Sequence, residues 1–374
     1  MVAAASVVVA VGTATGMMSA LDDGRVGDEA RSRITGSPRP EQPPVLPSSS
    51  PPAAGASASA PPTAKPTARP APAPTPTAKE RQAASAADRL YRHPDSQVLD
   101  WVRAHPGDPR VAVIESRIAG QPAAVWFADF TPGTIASRVR AVTAGAAAQG
   151  RVPVVVPYAV PDRDCGGASE GGAPDLAAYD DWIDAFAEGL GSGEVVVVLE
   201  PDSIAQSDCL SDGGRAARFA SLARAGRVLK TANPRARVYY DAGHSGWHPA
   251  ARQAALLRQA GAASAASSDG VFSNVSNFRT TAAETAYDRQ VLDALGGPAG
   301  LGAVIDTSRN GNGAPADDEW CDPAGRRIGR RPTLSTGEAR IDAYLWVKLP
   351  GESDGCKGAP GTFSPSYAYE LASS

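Results

Sequence analysis

From about Asp88 to Ser374 the chain alternates between short apolar, β-branched runs and longer stretches with apolar residues at helical spacing. That alternation constrains the fold more than any other feature. Eight runs read as strands: VAVIES (111–116), AAVWFA (123–128), VPVVVPYAV (152–160), VVVVLE (195–200), ARVYYD (236–241), GVFSNVSNF (270–278), LGAVID (301–306) and DAYLWVK (342–348). Segments 175–190, 212–232, 249–263 and 281–295 read as helices. Such alternation builds a parallel sheet covered by helices, because each parallel connection must cross back over the sheet. Roughly 285 residues of this pattern suit one α/β barrel-like domain better than an open two-domain fold.

The chain before that point has a different composition. Residues 38–77 hold 14 of the 33 prolines, interleaved with Ala, Ser and Thr, so this stretch cannot bury a core and reads as an extended, semi-rigid spacer. Met1 to Leu21 carries no charge and is only weakly hydrophobic, and the first positive charge is Arg25. The expectation is an export signal or membrane anchor over 1–24, a disordered Pro/Ala/Thr-rich linker over 25–87 and one folded domain over 88–374. The protein is then secreted, or held at the cell surface where the N-terminal segment is retained. A formal net charge of −4 with no basic stripe argues against nucleic acid as a partner. Four histidines and four cysteines, with no CxxC, HExxH or His pair at ligand spacing, leave no metal and no cofactor to expect. The even cysteine count is compatible with two disulfides and an oxidising compartment, and three pairings are open.

The stretch VVVVLEPDSIAQSDC (195–209) raises the functional question, because a buried run ends directly in two carboxylates. In barrels of this kind the chemistry sits at the C-terminal strand ends. Acids recur there: Asp162 and Asp164, Glu200 and Asp202, Asp241 with His244 and Trp247, Asp306 with Arg309, and Glu352 and Asp354 with Lys348. Each member alone has a plain reading. Asp202 or Ser203 can cap a helix, Asp241 can bind backbone in a turn, His244 can be structural, and PDRDC can hold a loop salt bridge. Five acid-bearing strand ends, several with aromatic residues, exceed what capping needs. Paired acids beside tryptophans suit glycoside hydrolysis: one acid protonates the leaving oxygen, another group activates water, and indole faces stack on sugar rings. A neighbouring like charge keeps the acid protonated.

Seven ordered blocks make the pattern specific: YAVPDRDC, LEPDS, YYDAGHSGW, SNVSNF, IDTSRNGNG, EWCDP…GRRPT and LWVKLPGESDGC. Over about 88–374 the chain resembles glycoside hydrolase family 6, the inverting β-1,4-glucanases. The resemblance implies a distorted parallel β/α barrel, seven-stranded and TIM-like, with the active-site cleft at the C-terminal strand ends. It implies Asp202 as general acid, Asp164 as the carboxylate that raises its pKa and helps activate water, and Asp354 as the proposed base. It places Tyr158 beside the distorted sugar and Asp241 as a supporting carboxylate. Trp126, His244, Trp247, Asn277, Arg309, Trp320, Lys348 and Glu352 match substrate-binding positions. The family pairing implies disulfides Cys165–Cys209 and Cys321–Cys356. Phe278 departs from a frequent tyrosine, which removes one hydroxyl contact.

Residue chemistry adds two expectations. Glu200 and Asp202 would share a face on a continued strand, but Pro201 breaks it and turns Asp202 into the cleft. With the pairing that the resemblance implies, Cys209 anchors the acid's loop to the loop of Asp164. The resemblance implies that members acting on chain ends roof the cleft with two long loops, one within each cysteine pair; here Cys356 follows Asp354 by only two residues and the first pair encloses 43 residues, leaving no room for them. The expected activity is that of a monomeric endo-β-1,4-glucanase acting on cellulose or soluble β-glucan. Alternatives are a cellobiohydrolase of the same family or a non-catalytic carbohydrate-binding protein. No cellulose-binding module is recognisable, which favours soluble or amorphous substrate.

Overall fold

A computed structural model describes residues 89–373. The expected N-terminal signal or anchor and the Pro-rich linker lie outside these residues.

Seven strands form one parallel sheet in sequence order. They are β1 (Val125–Phe127), β2 (Val154–Pro157), β3 (Val195–Leu199), β4 (Ala236–Asp241), β5 (Gly270–Ser273), β6 (Gly302–Asp306) and β7 (Ile341–Leu345). Helices α3 (Ile135–Ala148), α4 (Leu176–Glu188), α5 (Asp212–Ala232), α6 (Ala250–Gln259) and α7 (Thr281–Leu295) connect the first six strands. Among the described residues two helices precede β1, α1 (Gln97–Ala104) and α2 (Val111–Ile114), and α8 (Pro365–Ser373) follows β7. Several starts follow from local chemistry. Asp175, Ser211 and Thr280 cap α4, α5 and α7 by accepting from Ala178 N, Gly214 N and Ala283 N at 2.8, 3.1 and 3.2 Å.

The strand period of two divides the sheet residues between two cores. Val154, Val156, Val196, Val198, Tyr239, Phe272, Val304 and Leu345 fill the barrel interior. Val155, Val197, Leu199, Val238, Tyr240, Val271 and Ile305 face the helices, packing with Trp182, Phe186 and Leu222. Burial on both faces explains why β3 reads as an unbroken valine run. Tyr239 reaches across the interior and donates to Asp342 Oδ2 at 2.8 Å.

The sheet curls into a half-barrel and does not close as a ladder. Among the described residues β1 and β7 are joined by Ala124 N donating to Trp346 O at 2.9 Å and by the Trp126 indole donating to Val347 O at 2.7 Å. A third core seals this seam, with Val98, Ile114, Ile118, Trp346, Leu349, Ala368 and Ala372 packed together. The run VAVIES, expected as a strand, belongs here. It forms α2 and a following π-turn, Glu115–Ala119. Ile114 and Ile118 recur at helical spacing and both are fully buried against the seam, which decides the conformation over β-propensity.

Helix α5 lies close on the sheet through Gly226, where a Cβ would overlap Tyr240 Oη and the Ser267 carbonyl oxygen. Gly226→Ala is expected to destabilise the domain by about 1–3 kcal/mol. Urea unfolding checks this, and an unchanged or higher midpoint would show that α5 does not pack this tightly.

Candidate active site

The loops that follow the strands surround a cleft of about 1260 Å³ at the C-terminal end of the sheet. Three buried strand-end carboxylates organise these loops. Glu200, after β3, accepts from Ala159 N with both oxygens at 3.0 and 2.9 Å and from Val160 N at 3.0 Å, fixing the loop after β2. Asp241, ending β4, accepts from Ile204 N, Ala205 N and Gly243 N at 3.1, 2.8 and 2.8 Å, fixing the loop after β3. Asp306, ending β6, accepts from Ser276 N, Ser308 N and Lys348 N at 3.3, 2.8 and 3.0 Å, and so joins the loops after β5, β6 and β7.

The loop after β2 carries Tyr158 and Asp164. Arg163 stitches it down, donating to Ala128 O at 2.6 Å, to Ser169 O at 2.8 Å and to Tyr158 O. Its guanidinium stacks on Tyr158, 4.5 Å from the ring centre. Ser169 donates its N–H and hydroxyl to Asp164 Oδ2 at 2.7 and 3.0 Å, and its hydroxyl lies 3.0 Å from the Tyr158 hydroxyl. Gly167 makes room for this carboxylate, since a Cβ there would lie 2.5 Å from Asp164 Oδ2. Trp126 meets Tyr158 edge to face at 5.2 Å.

Asp202 stands at the cleft wall with φ 67°, after Glu200 at φ 50°. The turn after β3 therefore uses the left-handed region on both sides of Pro201. Among the described residues no hydrogen bond ends on the Asp202 carboxyl group. Burial pushes its pKa well above the usual carboxylate range, Asp241 and then Asp164 add to this, and Lys348 opposes. Burial is thus the first cause, and Asp164, which the resemblance implied raises this pKa, does so after Asp241.

Asp354, after β7, is arranged differently. Its Oδ2 receives Arg309 Nη1 at 2.7 Å and Asp322 N at 3.2 Å, and its Oδ1 lies 3.4 Å from Lys348 Nζ. Glu352 is raised to about 7 by burial, with Lys348 opposing, and accepts from Gln97 Nε2 at 3.3 Å. His244 is lowered to about 4 by burial and by Arg279.

The cleft brings together Trp126, Tyr158, Asp164, Asp202, His244, Trp247, Asn277, Trp320, Lys348, Glu352 and Asp354. Trp320, 58 % exposed, projects from the rim. Asp241, expected as a supporting carboxylate, and Arg309, expected at a substrate-binding position, are not part of the cleft lining. Asp241 spends its carboxylate on backbone N–H groups. Arg309 is fully buried, ion-paired with Asp354, and packed 4.5 Å over Phe278. Ser169, Gln97 and Asp322 escaped the sequence reading, because serine, glutamine and a loop aspartate have no periodicity to betray them. Disulfides join Cys165 to Cys209 and Cys321 to Cys356. The first ties the loop after β3 to Asp164's neighbour, as the family pairing implied.

The arrangement sets an acid of raised pKa and an ion-paired carboxylate in one cleft with tryptophans. The family model for glycosyl hydrolases family 6 matches residues 81–370. The chain belongs to this family. It is a glycoside hydrolase. Endoglucanase 1 of Streptomyces sp. (strain KSM-9) is 54% identical over 297 residues, covering 79% of this chain and 81% of that protein. Exoglucanase-6A of Humicola insolens is 30% identical over 306 residues, covering 70% of this chain and 63% of that protein. Among solved structures, the endoglucanase Cel6 of Mycobacterium tuberculosis, in complex with methyl-cellobiosyl-4-deoxy-4-thio-β-D-cellobioside, superposes with TM-score 0.70. It is 39% identical, and the match covers 76% of this chain and 96% of that one.

The buried acids of the hydrolase tie stability to pH. Glu200 and Glu352 both sit near 7 in the fold, raised by burial from 4.5. Between those values the folded state holds protons that the unfolded chain has released, so stability falls as pH rises through the window. Asp202, Asp241 and Asp306 are displaced the same way. His244, lowered from 6.5 to about 4, opposes them with one proton. The expected outcome is a lower urea midpoint at pH 7 than at pH 5; a midpoint that rises over this interval contradicts the upward displacement of Glu200 and Glu352.

Proposed function

We propose that the enzyme is a secreted, inverting endo-β-1,4-glucanase that cleaves cellulose or soluble β-glucan by general acid/base catalysis. The observation that carries the proposal is the contrast between two carboxyl groups lining one cleft. Asp202 keeps its proton through burial and its neighbours and has no donor on its carboxyl group, so the proton is free for a glycosidic oxygen. Asp354 is set between Arg309 and Lys348, as suits a carboxylate that directs water. Tyr158, Ser169 and Asp164 form a hydrogen-bonded chain beside the acid, which can relay a proton and position the ring at the scissile bond. Inversion requires space for a water between acid and base, typically about 6.5–9.5 Å between the carboxyl groups. Trp126, Trp247 and Trp320 offer stacking surfaces along the cleft.

The endo mode is supported by the short segment after the base, where Gly355 and Cys356 follow Asp354 directly, and by the greater identity to an endoglucanase than to an exoglucanase. Export is supported by the two disulfides, which persist in oxidising compartments.

Asp202→Ala is expected to lower kcat on cellohexaose by about 10²–10⁴-fold, the range of a lost general acid, while cellotetraose binding stays within a few-fold. A dinitrophenyl cellobioside, whose leaving group needs no proton, should lose far less. Equal loss on both substrates, or no loss, removes Asp202 from the acid's role. Proton NMR of the first product should show the α-anomer, and a β-anomer would contradict inversion.

On carboxymethylcellulose, viscosity should fall early relative to reducing-sugar release. A slow fall with cellobiose as sole product would assign the enzyme to chain-end attack.

A further inference from the structure

Asp322 lies in the EWCDP block, 32 residues before Asp354, and it has no part in the cleft lining. Its side chain is nevertheless the most connected carboxylate near the site. It is buried at 3% exposure. Its Oδ1 accepts from Asp354 N at 2.8 Å. Its Oδ2 accepts from the Ser353 hydroxyl at 2.5 Å, from Cys356 N at 3.1 Å and from Lys357 N at 2.8 Å. In the reverse direction, Asp322 N donates to Asp354 Oδ2 at 3.2 Å. One residue therefore grips both the main chain and the carboxylate of Asp354. Arg309 Nη1 lies 4.0 Å from Asp322 Oδ1 and 2.7 Å from Asp354 Oδ2, so one buried cation serves both acids.

We infer that Asp322 is a positioning residue for the reaction, and that its carboxylate, rather than the adjacent Cys321–Cys356 disulfide, fixes the turn that aims Asp354. This rests on the reading of Asp354 as the water-directing carboxylate.

The two constraints act on different things. The disulfide holds two Cα atoms 5.8 Å apart, one of them two residues beyond Asp354. It leaves the orientation of the 353–355 backbone free. The Asp322 carboxylate binds that backbone at residue 354 itself and again at 356 and 357. The turn needs such an acceptor, because the N–H donors of residues 354, 356 and 357 converge on one point and a buried donor without a partner is unfavourable. Burial works against the charge on Asp322. The Ser353 hydroxyl and the N–H groups of Asp354, Lys357 and Cys356 outweigh it and hold the group below its ordinary value. Asparagine cannot replace it. Whichever way its amide turned, an NH2 group would face N–H donors already present.

The test compares Asp322→Asn, the double variant Cys321→Ser/Cys356→Ser, and Asp354→Asn on cellohexaose, with kcat, KM and thermal unfolding for each. Asp354→Asn is expected to lose at least 100-fold in kcat. Asp322→Asn should lose 10- to 100-fold in kcat with KM within about twofold, because the cleft lining is intact while the turn that aims Asp354 is not. The disulfide variant should unfold at lower temperature yet keep kcat within about threefold. Ser353→Ala, which removes one of the bonds to Asp322, should lower kcat by less with KM likewise unchanged, and it serves where Asp322→Asn does not fold. An inactive Asp354→Asn beside an Asp322→Asn enzyme with normal kcat overturns the positioning role alone. A disulfide variant that loses as much kcat as Asp322→Asn does the same. An active Asp354→Asn overturns the reading of Asp354 and the inference with it.

Discussion

Everything around the cleft depends on carboxylates that touch backbone rather than sugar. A loop leaving a buried strand carries N–H groups with no ladder partner, and burying them unpaired is unfavourable. Glu200, Asp241 and Asp306 supply acceptors at the ends of β3, β4 and β6. Each acts on a neighbouring loop as well as or instead of its own. Residues that line the cleft hang from this lacework: Tyr158 through Glu200, Asp202 through Asp241, and Lys348 through Asp306. Desolvation raises all three acids above their ordinary values, while the N–H bonds work against that rise. An acid locked in this way also supplies charge or dipole to its neighbours, which is how Asp241 comes to act on the proton of Asp202.

The incomplete closure of the sheet shapes the site as much as the strand ends do. A ladder from β1 to β7 would close the barrel by main-chain bonds alone. Instead the seam is sealed by α1, α2, α8 and Trp346, and the indole of Trp126 reaches over it to Val347 O. One tryptophan therefore both closes the barrel and lines the cleft. Gln97, at the start of α1, bonds Gly361 O at 2.7 Å and Glu352 Oε1 at 3.3 Å, so the helix that covers the seam also steadies a cleft residue.

Much of this was legible in the chain. Seven of the eight expected strands exist, and the helices over 212–232 and 281–295 occupy those limits, because parallel strands buried on both faces and capped amphipathic helices leave strong periodic signals. The run at 111–116 misled because four apolar β-branched and small residues fit a buried helical turn equally well. The acids at the strand ends were visible, but their division of labour was not. Asp241 and Asp202 look alike in sequence, and only the direction of each side chain separates a backbone clamp from a cleft acid. Arg309 and Ser169 illustrate the same limit, since an arginine behind a wall and a serine between two functional groups carry no spacing rule.

The cross-loop pattern of those clamps bears on how such a cleft can change over evolutionary time. Because the acid that steadies one loop belongs to the strand beside it, loops are not independent modules that can be lengthened or swapped singly. Replacing the segment after β3 alone would deprive the Asp241 carboxylate of two of its three donors, and replacing that after β5 would remove one bond of Asp306. Diversification of the mouth is thereby channelled toward concerted exchange of adjoining segments, or toward insertions beyond the clamped positions.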